Sequence, residues 1–243
     1  LGGDFLPGGM MLRLCEVYLS VQGEGPRVGL PTIFVRFGGC NLRCPLWPCD
    51  SQYAVDVKYR NEWERIEPVE LANRIIAIAD ELDSYVNVCL TGGEPFLQPN
   101  EDLRVMCETL RTSPWIQDIE AFTNGGLLYP EWSRDVVHKV IDWKLPGSGE
   151  DPMNPARIWN VLHNVGPKDV IKFTIADRAD YELAKELYRD PQLAMSRLGV
   201  YYGVVWGKLT NEELIGWVLE DGMPWRLTMQ VHNYIWNRNR RGI

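Results

Sequence analysis

Apolar and polar positions along the chain change period repeatedly, and each change marks a predicted element. "PTIFVRF" (31–37) is short, apolar and β-branched, the pattern of a buried strand. "PVELANRIIAIADELDSY" (68–85) opens on Pro68, suited to a first helical turn, and spaces Leu71, Ile75, Ala79 and Leu82 along one helical face. Beyond it, 86–90 reads as strand, 100–112 as helix, and 116–122, 136–144 and 170–176 as strands. Residues 177–190 predict a helix capped by Asp177, and 199–206 a strand. The stretch 210–222 carries a capping box, Thr210 with Glu213, and a terminal Gly222. A last strand is expected at 225–231.

Strands alternating with helices predict an α/β chain with a parallel sheet, curled or closed as in a (β/α) barrel. No tandem repeat or low-complexity linker interrupts it. Residues 1–243 therefore read as one domain, with 1–14 as an N-terminal arm, native or appended. The polar and glycine-rich segments share one location. "GGCNLRC", "TGGEP", "TNGG", "DWKLPGSG", "VVWG" and "QVH" each fall at the C-terminal end of a predicted strand. That is the edge where barrel-type enzymes assemble their sites.

Composition narrows the classes. The chain has 243 residues, 45% hydrophobic and 24% charged, with a net charge of −8, which argues against direct binding to nucleic-acid backbones. No apolar run approaches the ~20 residues of a membrane span. "LGGDFLPGGMMLRL" has neither a basic leader nor an apolar core and does not read as a secretory signal. Six cysteines in so large a chain are expected to be reduced thiols in a cytoplasmic setting.

Three of them, Cys40, Cys44 and Cys49, crowd into "GGCNLRCPLWPCDS" (38–51). Three thiolates on one loop can hold three irons of a four-iron cluster and leave the fourth open. Structural zinc usually takes four ligands, and no fourth Cys or His follows at a comparable spacing. From spacing alone, the cluster, zinc and no metal at all stay open. In "TGGEP" (91–95), two glycines allow close backbone approach to a ligand, and Glu94 can accept from an ammonium group. Taken by itself, that segment is also an ordinary turn ended by Pro95.

The cysteine loop after one strand with GGEP after the next resembles the radical S-adenosylmethionine superfamily. The resemblance implies a partial, open (β/α) barrel and a 4Fe-4S cluster on Cys40, Cys44 and Cys49. S-adenosylmethionine would chelate the open iron, with Gly92, Gly93 and Glu94 beside its amino group. Electron transfer at contact range requires cofactor and cluster to share one loop. The usual spacing is CxxxCxxC, whereas Pro45, Leu46, Trp47 and Pro48 fill the second gap here, a small insertion. Pro48 holds the place of the usual aromatic residue, so Trp47 is the aromatic candidate beside adenine.

"VYLSVQGEGPRVGLPTIFVRFGGCNLRC" (17–44), "CDS" (49–51), "TGGEP", "DWKLPGSG" (142–149) and "QVHNYIWNRNRRGI" (230–243) resemble the 7-carboxy-7-deazaguanine synthase family, from near residue 16 to the C-terminus. Glycyl-radical activating enzymes share the cysteine loop and GGEP but are not expected to carry "QGEG". The resemblance implies a lyase that contracts 6-carboxytetrahydropterin to 7-carboxy-7-deazaguanine with loss of ammonia, in queuosine-type biosynthesis. It also implies Mg2+, a homodimer, and a reducing protein such as flavodoxin or ferredoxin.

By the same resemblance, Val21, Gln22, Gly23 and Glu24 line the pterin site, where an amide and a carboxylate suit the heterocycle's donors and acceptors. Arg36 matches a residue gripping the substrate carboxylate; an internal salt bridge is the competing reading. Ser51 stands at a Mg2+-binding hydroxyl, with Asp50 beside it toward the cofactor. Thr91 and His232 match substrate contacts. Asp142, Trp143 and Lys144, with Val205, Trp206 and Gly207, match cofactor-binding strand ends. The terminal carboxylate of Ile243 would enter the substrate pocket. No side chain is assigned a catalytic role.

Overall fold

A computed structural model describes residues 11–47, 49–193, 195–236 and 242. Its frame is one nine-stranded open sheet: β1 (Leu12–Val21), β2 (Pro31–Phe37), β3 (Glu64–Ile66), β4 (Val86–Gly92), β5 (Ile116–Thr123), β6 (His138–Trp143), β7 (Val170–Ile175), β8 (Gly199–Val204) and β9 (Arg226–Leu227). The spatial order is β3-β1-β2-β4-β5-β6-β7-β8-β9. From β2 through β9 all neighbours are parallel, as alternation with helices requires. β1 and β3 add an antiparallel edge.

The helices are α1 (Gln52–Val55), α2 (Pro68–Leu82), α3 (Asn100–Leu110), α4 (Ser133–Val136), α5 (Pro155–His163), α6 (Arg178–Arg189), α7 (Asn211–Glu220) and α8 (His232–Ile235). Local chemistry fixes their ends. The Asp177 side chain accepts from the Asp180 amide, and Thr210 and Glu213 close a reciprocal capping box. Asn154 accepts from the amides of Ala156 and Arg157 at the start of α5, with Pro155 in the first turn.

Several sequence expectations need revision. The proposed arm of 1–14 ends earlier, because Leu12 already opens β1 and pairs with Ile66. The strand expected at 136–144 starts at His138, Val136 being the end of α4. The strand expected over 225–231 is cut to two residues. Beyond it the Val231 amide donates to the Gly23 carbonyl at 3.0 Å and Thr228 Oγ1 accepts from the Gly25 amide at 2.8 Å. The backbone there turns to meet the "QGEG" segment instead of extending the ladder.

Side chains alternate across each strand, and the two faces differ sharply. One face is apolar and lies under the helices. Ile33, Val35, Phe37, Val88 and Leu90 pack with Leu71 and Ile75 of α2 and Leu103 and Met106 of α3. Ile141, Trp143, Ile171 and Phe173 pack with Tyr181 of α6 and Leu214 and Val218 of α7. The other face carries Tyr18, Arg36, Thr91, Glu120, Asp142, Lys172 and Thr174. Contacts between residues 23–25 and 228–232 join the segments that follow β1 and β9 across this second face.

The helical stripe of α2 divides in the same way. Ile75 is fully buried, whereas Leu82 is 37% exposed. Ile75→Ala is expected to cost about 2–5 kcal/mol in denaturant unfolding, and Leu82→Ala under about 0.5 kcal/mol. Equal shifts of the two midpoints would refute this placement of the helix.

Candidate functional site

The strand ends of the polar face carry the predicted segments, and backbone contacts bind them together. After β2, the Gly93 amide donates to the Phe37 carbonyl at 2.9 Å and the Glu94 amide to the Gly39 carbonyl at 2.8 Å. The approach is so close that a Cβ on Gly93 would collide with the Gly39 carbonyl. Gly92 has φ +104, a region open to glycine alone in practice. The glycines therefore seat the cysteine loop directly on the β4 turn.

Glu94 is fully buried, and its carboxylate accepts from the Phe96 amide, the Thr123 hydroxyl at 2.7 Å and the Asn124 amide at 2.8 Å. Burial pushes its carboxyl above the usual range despite those donors. In this arrangement Glu94 clamps the end of β5, with its acceptor positions directed at the protein itself.

The cysteine loop is held from the opposite side by a residue that no motif singled out. Glu150 Oε1 accepts from the amides of Arg43 and Cys44 at 2.8 and 2.7 Å. Cys44 takes φ +44, a strained choice for a non-glycine residue. Leu46 is pinned at both ends: its amide reaches the Ser148 carbonyl at 3.2 Å, and its carbonyl accepts from Lys208 Nζ at 2.9 Å. Trp47 packs on Ala176 and Val205, against Cys44, and Lys144 Nζ lies 5.2 Å from the centre of its ring. The longer spacer is thus folded onto the ends of β6, β7 and β8. Pro48 and Ile243 lie outside the described residues.

None of the six cysteines is joined in a disulfide. Burial pushes Cys40 up to about 11, with Glu94 and the other two loop thiols adding to the effect. Cys44 and Cys49 are also raised by burial, while Lys144 works in the opposite direction on both. Cys40 Sγ accepts from the Leu42 amide at 3.4 Å and faces Asn124 Nδ2 at 3.8 Å. The donor set suits a sulfur-rich cluster: three soft ligands that sense one another's charge, amide donors to sulfur, and one cation beside two of them. Among the described residues no three Cys, His, Asp or Glu are already gathered into a finished metal cage. Ser51 suits Mg2+ less well, because its hydroxyl already accepts from Arg36 Nη1 at 2.9 Å.

Arg36 makes an internal salt bridge. Its Nε donates to Glu16 at 2.7 Å and its Nη2 to the Tyr18 hydroxyl at 2.7 Å, with Tyr53 also flanking it. Neighbouring Thr91 is its register partner on β4. Trp143 departs from its expected role, since strand alternation turns its side chain into the helix-side core, fully buried. Asp142 and Lys144, on the polar side, pair at 2.9 Å. Burial would raise Asp142, but Lys144 and Lys172 hold it below the usual range. Trp206 is 46% exposed and meets Tyr234 edge-on; Gly207 has φ +79. Asp50 is exposed beside Cys49.

The "QGEGP" segment lies across the polar face. Gly25 has φ +71 and rests against Phe122 and Val140, and a side chain on Gly23 would collide with His232. Buried Gln22 donates its amide to Glu120, which Arg27 Nη1 neutralises at 3.0 Å. Glu24 pairs with Lys172 of β7 and accepts from Gln230 Nε2 at 3.2 Å. Beside them opens a narrow cleft lined by Glu24, Lys172, Thr174, Trp206 and Gln230 among others. Of the predicted residues, Val21, Gln22, Gly23, Glu24 and His232 thus cluster at one part of the face. Cys40, Cys44, Cys49, Trp47, Asp142 and Lys144 cluster at its rim. Sequence reading missed Glu16, Glu120, Glu150 and Lys172, which belong to no motif.

An open parallel sheet with a thiol loop and a glycine–glycine–glutamate turn at one strand edge defines an iron–sulfur enzyme of the radical S-adenosylmethionine class. Residues 21–142 match the family described as a 4Fe-4S single cluster domain. Over nearly its whole length, the chain belongs to the 7-carboxy-7-deazaguanine synthase family. It is 36% identical over 244 residues to the 7-carboxy-7-deazaguanine synthase of Koribacter versatilis (strain Ellin345), covering 96% of this chain and 100% of that protein. To the synthase of Leptospira interrogans serogroup Icterohaemorrhagiae serovar Lai (strain 56601) it is 34% identical, covering 94% and 96%. The crystal structure of QueE from Escherichia coli shares the fold, with a TM-score of 0.62 at 19% identity, covering 90% of this chain and 93% of that one. No helix among the described residues is long and apolar enough to cross a membrane.

Two predictions arise here. Cys49→Ala is expected to abolish cluster loading despite the longer spacer; full iron and sulfide content in that variant would place the third ligand elsewhere. Asp142 and Glu24 both have folded pKa values below their unfolded ones. Their stabilisation is therefore complete above the unfolded values near pH ~4 and is lost as pH falls through the depressed ones. The Asp142→Asn/Glu24→Gln variant should accordingly lose less stability between pH ~5 and ~3 than the parent. Parallel acid unfolding curves would contradict that assignment.

Proposed function

We propose that the chain contracts the ring of 6-carboxytetrahydropterin to 7-carboxy-7-deazaguanine, releasing ammonia, with S-adenosylmethionine bound at a 4Fe-4S cluster on Cys40, Cys44 and Cys49. The observation that carries this reading is the course of "QGEGP" over the polar face. It brings Gln22 and Glu24 to the same face as Asp142, Lys144 and the thiol loop.

A cluster held by Cys40, Cys44 and Cys49 would supply the one-electron reduction that S-adenosylmethionine chemistry requires. The chain's own residues position the reactants and exclude water. Gln22, fixed by Glu120, and Glu24, fixed by Lys172 and Gln230, offer an amide and an anionic acceptor to the donor and acceptor edge of a pterin. Arg36 is the cation for the substrate carboxylate, with Glu16 and Tyr18 holding its guanidinium until that anion arrives. Asp142 can accept from ribose hydroxyls, while Lys144 and the backbone of Gly92 and Gly93 serve the methionine end. Trp47 and Val205 form an apolar wall at the rim, suited to adenine.

Ser51 is the hydroxyl offered to Mg2+. Because Arg36 already donates to it, the ion would enter only with the oxygen ligands of substrate and water, and no step here depends on it. A flavodoxin or ferredoxin as reductant and a second copy of the chain complete the expected partners.

The test is anaerobic incubation of the reconstituted protein with 6-carboxytetrahydropterin, S-adenosylmethionine and reductant, with the product identified by mass. Gln22→Ala and Arg36→Ala are each expected to lower kcat/KM by at least tenfold, a loss of about 1.4 kcal/mol of transition-state stabilisation. Unchanged kcat/KM in both would discard the substrate assignment. Deleting Ile243 should raise KM for the pterin while leaving iron content at the parent level; an unchanged KM would remove Ile243 from the pocket.

A further inference from the structure

We propose that Lys172 is a positioning residue of the pterin subsite, holding Glu24 as an ordered anionic acceptor for the N–H edge of the heterocycle; this rests on the reading of Glu24 given above. Lys172 lies on β7 in register with Asp142 of β6, so it stands between the two groups of site residues. Its ammonium pairs with Glu24, and its side chain is only 8% exposed. The Phe122 ring lies 5.8 Å from Nζ, and both Lys172 and Glu24 line the narrow cleft beside the "QGEGP" segment. As an element of fold stability, such a pair is a poor choice, because desolvating two charges costs about as much as their attraction returns. As part of a binding wall it has a clear effect: one oxygen of Glu24 is occupied by lysine and another by Gln230, which leaves the carboxylate a fixed direction.

The ionisation state follows from the same contacts. Burial alone would raise the Glu24 carboxyl; Lys172, Gln230 and His232 together more than reverse that. Other charged or titratable groups facing the pair are Asp142 on β6, Lys144 just beyond it and the Cys89 thiol on β4, which in turn senses Glu120 of β5. With Lys172 replaced by an uncharged residue, burial and the surrounding acids leave Glu24 easier to protonate, and its acceptor role is lost at higher pH than in the parent.

The experiment is the pH profile of kcat/KM for 6-carboxytetrahydropterin, with kcat and KM separated, on reconstituted protein. Lys172→Met is expected to move the acidic limb upward by roughly one pH unit or more and to raise KM about tenfold, with a smaller change in kcat. Lys172→Arg should restore the limb and most of KM. An unmoved limb with KM within about twofold of the parent would overturn the proposal, as would failure of arginine to restore either quantity. The double variant Glu24→Gln/Lys172→Met removes both charges together and decides the matter if the single variant does not fold. Its KM is expected to match that of Glu24→Gln alone within about twofold; a further large loss would give Lys172 a role that does not pass through Glu24. A parent that makes no 7-carboxy-7-deazaguanine would instead refute the functional reading, independently of Lys172.

Discussion

Side chains on a strand alternate between two faces, so each parallel strand of this sheet has to satisfy two environments at once. The helix-facing positions do so with Val, Ile, Leu and Phe, all packed under α2, α3, α6 and α7. The opposite positions carry Arg36, Thr91, Glu120, Asp142, Lys172 and Thr174, which could not share a face with that core without large desolvation costs. Arg36 pairs with Glu16, Glu120 with Arg27, Asp142 with Lys144, and Lys172 with Glu24 of the "QGEGP" segment. The separation of faces produces the fold and the site together: burying one face leaves the other as a charged surface across the central strands.

Two kinds of clasp hold the reactive loop to that surface. On one side, the glycine backbone of Gly92 and Gly93 lies against Phe37 and Gly39, too close for any side chain. On the other, Glu150 accepts two adjacent amides of the cysteine loop, and Trp47 fills a niche formed by Ala176 and Val205. The insertion between Cys44 and Cys49 is accommodated by this second clasp, which fastens the extra residues to the β6 and β8 ends. A longer spacer therefore does not imply a looser loop.

Much of this was legible in the sequence, and the failures have physical causes. β2, α2, α6 and α7 were readable because their periodicity and caps agree. β1 was hidden by a register shift between Leu14 and Glu16, which breaks the alternation that marks a strand. α5 was missed because its buried face takes Arg157 and Asn160 as well as Val161, so its apolar positions mark only part of that face. Trp143 was taken for a cofactor contact because its motif neighbours are at the site, yet one step along a strand reverses the face. Lys172, Glu120 and Glu150 are single charges without a local pattern; only the topology brings them to the site. The family resemblance and the geometry meet at the segments that follow strand ends, where a motif is both a sequence signal and a place in space.

The most direct test of the account concerns the thiol loop. Iron and sulfide analysis of anaerobically reconstituted protein, combined with electron paramagnetic resonance of the reduced form, should give four irons and four sulfides per chain and a signal that changes when S-adenosylmethionine is added. Zinc without iron, or a cluster whose signal is indifferent to S-adenosylmethionine, would contradict it.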